Sequence, residues 1–133
     1  MHLPRTLTML AAFTLAAAGT PAMAHHSFSA EFSRDRPVTL EGEVAMMEWV
    51  NPHSWLHIDV PQEDGTVQRW KVEGGSPSVL LRRGWTRDSL PAGTKIIVRG
   101  FGAKDGSHRA QSSAIEFPDG GRLELGGTQG PDQ

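Results

Sequence analysis

The chain has 133 residues, 38% of them hydrophobic, 21% charged and 7% aromatic, with fifteen Gly, nine Pro and no Cys. That is the profile of one small domain, and a net charge of −2 with a pI near 6.3 argues against a polyanion binder, which normally carries a basic patch. The missing cysteine excludes disulfides, thiol nucleophiles, Cys-ligated metal sites and lipobox attachment.

Residues 1–24 read as a secretory signal peptide. Arg5 gives the positive start, Leu7 to Ala18 is an apolar run too short to span a bilayer, and Ala22-Met23-Ala24 fits a signal-peptidase site. Cleavage after Ala24 predicts a periplasmic or secreted product with no membrane anchor. Residues 25–36 form a polar N-terminal arm carrying Phe28 and Phe32.

Residues 37–125 alternate as a barrel domain. From Pro37 to Val50, the residues Val38, Leu40, Val44 and Met46 share one parity, with Gly42 as a bulge or bend. Asn51-Pro52 ends that strand, because proline cannot donate to a ladder. Leu56, Ile58 and Val60 then face inward, leaving Trp55, His57 and Asp59 outside. Asp64-Gly65 signals a hairpin into a third strand, Thr66 to Glu73.

The one convincing helix follows. Ser76 suits the N-cap, Pro77 the first helical position and Gly84 the left-handed stop, with Val79, Leu80 and Trp85 toward the core. Thr94 to Phe101 and His108 to Phe117 read as strands four and five, and Arg122 to Leu125 as a short sixth. Residues 126–133 are expected to be a disordered tail. Three strands, one helix and two or three more strands predict a mainly β fold. The expected form is a small OB-like five- or six-stranded Greek-key barrel with the helix between strands three and four. A two-layer α+β sheet or a β-sandwich would fit the same string.

The segments His25 to Phe28, Glu48 to Trp55 and Leu80 to Leu90 resemble a family of small exported bacterial proteins carrying a domain of unknown function. The resemblance runs through nearly the whole mature chain. It implies an exported single-domain protein and supplies no activity, cofactor or catalytic residues. Met46-Met47 departs from the more polar or β-branched stretch expected there.

The histidines carry the sharpest chemistry. Cleavage after Ala24 makes His25 the first residue, so its α-amine and imidazole Nδ1 can close a chelate ring on one metal ion. His26 adds a second imidazole, and His53 or His57 a third nitrogen. Four extended residues span about 13 Å, so at most one of His53 and His57 joins the site unless the Asn51-Pro52 turn folds His53 back. The predicted metal ligands are His25, His26 and His53. Nitrogen donors without sulfur suit Cu(II), Ni(II) or Zn(II), with copper highest in affinity. The rival reading is a metal-free module whose aromatic face, around Trp55 and Trp70, contacts an envelope partner or small ligand. Trp55, His57 and Asp59 are its face residues, unless Phe28 or Phe32 covers Trp55. A copper oxidoreductase using the same nitrogens is a third reading. Arg82, Arg83 and Arg87 suit either a carboxylate or phosphate grip, or a solvated helix face with Arg83 or Arg87 paired to Asp88. Serine elbows, phosphate loops and H-E-x-x-H helices do not occur, which favours a binding module over an enzyme.

Overall fold

The structure, a computed structural model, describes residues 28–126. The predicted signal peptide, His25, His26 and all but the first residue of the predicted tail lie outside the described residues. A short helix α1 (Phe28–Glu31) leads into β1 (Phe32–Glu48), followed by β2 (Trp55–Pro61) and β3 (Val67–Glu73). Helix α2 (Pro77–Arg82) precedes β4 (Lys95–Ala103), β5 (Arg109–Gln111), β6 (Ala114–Glu116) and β7 (Arg122–Glu124).

Five strands close a barrel in the order β1-β2-β3-β5-β4, with β4 pairing back onto β1. All pairings are antiparallel except β3 with β5, where Lys71 stands opposite Arg109. Together with α2 between β3 and β4, this is the OB-like order that the alternating pattern predicts. β6 and β7 extend the sheet beyond β4.

Closure depends on the length of β1. Its first half pairs with β4 from Pro37 to Glu43, and its second half pairs with β2 from Glu43 to Glu48. Gly42 sits where the two pairings meet. A Cβ there would overlap the Asp59 carbonyl oxygen, so a close backbone approach rather than a bulge explains this glycine. The bulge falls later, between Val44 and Met46. One extra residue reverses the parity: Met46, expected inside, is 48% exposed, and Met47 packs against the core instead.

Two other expectations change. β1 begins at Phe32 rather than Pro37, so the second half of the predicted arm is strand. The predicted fifth strand is divided at Ser112-Ser113. Ser112 Oγ lies 2.8 Å from the Arg99 carbonyl oxygen and 2.7 Å from that of Ala114, giving the backbone partners outside the ladder. β5 thereby reaches β3 while β6 stays on β4.

Leu40, Val44, Leu56, Ile58, Val72, Ile96, Val98 and Ala110 form the buried core, and Leu80, Trp85 and Leu90 pack into the same cluster. The helix caps follow the sequence: Ser76 Oγ accepts from Val79 N at 3.3 Å, and Gly84 takes φ +86°. Trp85 Nε1 donates to the Glu124 carbonyl oxygen at 2.9 Å, tying the helix end to β7. The Asn51-Pro52 peptide is cis.

Candidate functional site

Strand parity places a band of polar side chains on the outer wall of β1, β2, β3 and β5. Three registered rows compose it. Glu43, Asp59 and Arg69 form the first, Met46, His57, Lys71 and Arg109 the second, and Glu48, Trp55, Glu73 and Gln111 the third. Phe101 of β4 continues the third row beside Gln111.

In the first row Arg69 bridges Asp59 through two bonds, Nε to Oδ1 at 2.5 Å and Nη2 to Oδ2 at 2.8 Å. The hydrogen bonds from Arg69 hold the Asp59 carboxyl below its ordinary range. Asp59 is on the predicted face, but its carboxylate is already taken.

Glu48 joins the second and third rows. His57 Nε2 lies 2.9 Å from Glu48 Oε2, and Lys71 Nζ lies 3.5 Å from the same oxygen. The His57 hydrogen bond is the main cause, and Lys71 a further one, of a lowered Glu48 pKa. Lys71 Nζ also stands 5.1 Å from the centre of the Trp55 ring, a cation–π contact. A carboxylate only accepts, so in the neutral ring His57 Nε2 carries the proton and Nδ1 the lone pair.

His53 is fixed in the opposite sense. Its Nδ1 lies 3.3 Å from the Gly74 carbonyl oxygen and 3.5 Å from Glu73 Oε1. A carbonyl also only accepts, so Nδ1 donates and Nε2 of the neutral ring keeps its lone pair. Glu73 and Gln111 belong to an outer wall, yet they are only 6% and 5% exposed. They make a buried polar floor beside His53.

The predicted residues separate accordingly. Trp55, His57 and Asp59 share the outer wall, whereas His53 and His57 turn to different carboxylates, Glu73 and Glu48. Trp70 does not belong with Trp55. It pairs with Ile58 on the inward parity, packs on the core and meets His108 edge-on at 5.1 Å. Phe28 and Phe32 do not cover Trp55 either, because Phe28 packs on Phe32 and on Phe101 at the β4 side. Arg83 and Arg87 form no bridge to Asp88 among the described residues.

Glu48, Lys71, Glu73 and Gln111 belong to the wall without standing out in the sequence. Parity alone gives Lys71 and Glu73 the outer wall once Trp70 and Val72 face inward, but their partners lie on other strands. Among the described residues, no three His, Cys, Asp or Glu side chains group closely enough to hold a metal ion. No helix among them is long and apolar enough to cross a bilayer.

The model of a family of unknown function (DUF6152) matches residues 12–112, most of the chain. The chain belongs to this family. The match spans the barrel from β1 through β5, including His53 and the whole outer wall. No curated protein and no solved structure matches the chain.

Proposed function

We propose that the mature chain is an exported metal-binding module, periplasmic or secreted, that holds one divalent ion through His25, His26 and His53, with copper favoured. The observation that carries this reading is the state of His53. Its Nδ1 is engaged by the Gly74 carbonyl and the Glu73 carboxylate, which leaves Nε2 as a fixed, electron-rich donor. Metal-ligating histidines characteristically have their other nitrogen held this way, and the carboxylate raises ligand basicity.

Tether length favours His53 over His57. Phe28 is anchored on Phe101, which pairs with Gln111, which pairs with Glu73, the partner of His53. Two strand spacings separate Phe101 from Glu73, about 10 Å, and three extended residues from Phe28 back to His25 reach about 10 Å. The arm is also held by Lys104, whose Nζ donates to the Ser29 carbonyl at 2.5 Å, and by Arg109, 3.2 Å from Glu31 Oε2. An arm ordered in advance binds more tightly than one ordered by its ligand.

Competitive Cu(II) titration of protein beginning at His25 tests the proposal. Tight one-to-one binding, lost when a serine precedes His25 and weakened in His53→Ala, is expected. Equal affinity with and without the extra serine would overturn it.

A second reading rests on the Trp55 wall. The half-buried Trp55, with Lys71 over its ring and the Glu48–His57 pair beside it, offers a stacking surface to an envelope partner or small ligand without metal. It predicts binding that ignores the residue preceding His25.

A further inference from the structure

Four arginines are neutralised within the fold: Arg69 by Asp59, Arg99 by Glu116, Arg109 by Glu31 and Asp105, and Arg122 by Glu124. The segment closing α2 behaves differently. Arg82, Arg83 and Arg87 fall within six residues, all are exposed, and none has a carboxylate partner among the described residues. Arg87 rests 5.7 Å from the centre of the Trp49 ring. Beside them lies an open groove of about 450 Å³ lined by Arg83, Trp85, Arg122, Leu123 and Glu124. Leu81, on the same helix, is 57% exposed.

We infer that the segment from Leu81 to Arg87, with its adjoining groove, is a docking surface for an acidic segment of another protein. A guanidinium fork accepts a carboxylate through two bonds, and these three need break no internal bridge to do so. The partly buried Leu123 and the exposed Leu81 supply apolar surface on which a neighbouring aliphatic side chain of that segment can rest. Charge complementarity also separates this partner from a lipid surface. A planar anionic membrane would press on the exposed Asp88 as well, and electrostatic membrane patches usually carry about 4–8 basic residues. A peptide can place its carboxylates on the arginines and turn away from Asp88, while Glu124 is already held by Arg122.

The test uses a fluorescein-labelled decapeptide of Glu pairs separated by Leu, measured by fluorescence polarisation in EDTA so that metal binding plays no part. Arg82→Gln/Arg83→Gln/Arg87→Gln is compared with an equally charged control, Arg36→Gln/Lys95→Gln/Arg99→Gln, after thermal melts establish that each is folded. Wild-type binding that weakens with salt, falls about tenfold in the first variant and changes less than about twofold in the control supports the surface. If the triple variant does not fold, Arg83→Gln and Arg87→Gln singly give the same comparison. Absence of peptide binding, equal losses in both variants, or arginine-dependent binding only to vesicles containing phosphatidylglycerol would overturn it.

Discussion

Glu48, the last residue of β1, accepts a hydrogen bond from His57 of β2 at 2.9 Å, two residues along the strand from the Trp55 opposite it. Because that bond and nearby Lys71 depress the Glu48 pKa, the charged carboxylate stabilises the fold above the ordinary value of 4.5. The contribution is lost as pH falls through the lowered folded-state value. The urea midpoint of wild type should therefore exceed that of Glu48→Gln near pH 7, and the gap should close in strong acid. A gap of constant size down to that acid range would show that the charge on Glu48 is not responsible.

Gly42 lets β1 pass from one neighbour to the other. The added methyl of Gly42→Ala would meet the Asp59 carbonyl, so a loss of about 1–3 kcal/mol in urea unfolding is expected. Gly84→Ala, where a Cβ meets only open space but φ is positive, should lose about 1–2 kcal/mol from backbone strain alone. Full stability in Gly42→Ala would contradict the close crossing.

Trp85 joins packing to a polar tie. Trp85→Phe retains an aromatic ring in the core but leaves the Glu124 carbonyl without its indole donor, which should cost about 1–3 kcal/mol. Trp85→Ala should cost about 3–5 kcal/mol through the cavity it leaves. Chemical denaturation of both variants separates the two terms, and an unchanged midpoint in Trp85→Phe would mean that the hydrogen bond contributes nothing.

Phe28 is the anchor on which the metal reading depends. Phe28→Ala removes its contacts with Phe32 and Phe101 outside the barrel core, so thermal stability should change little. Cu(II) affinity should fall about fivefold to tenfold, since the ion must then order the arm itself. A large loss of stability with unchanged affinity would reverse that assignment.

The barrel was legible in the sequence because inward positions repeat every second residue: Leu56 and Ile58 on β2, Val72 on β3, Ile96 and Val98 on β4. Alternation carries no mark of an inserted residue, so the parity of Val38, Leu40 and Val44 extends to Met46, which the bulge turns outward. Ser112-Ser113 did interrupt the apolar pattern of the fifth strand, but its partner, the Arg99 carbonyl, belongs to a neighbouring strand. The candidate site divides in the same way. Trp55, His57 and Asp59 were placed on one wall by parity, while the pairing of His53 with Glu73 and of Glu48 with Lys71 depends on strand register. That register is set by the connections joining β1, β2 and β3, which the alternation of side chains does not report. Trp70 was grouped with Trp55 by residue type, against the parity that sets it inward.

If His53 Nε2 completes the proposed copper site with the first residues of the mature chain, electron paramagnetic resonance of the one-to-one Cu(II) complex, formed on protein beginning at His25, will register it. Nitrogen couplings should lose one contributor in His53→Ala and change wholly when a serine precedes His25. Spectra identical in all three proteins would contradict it.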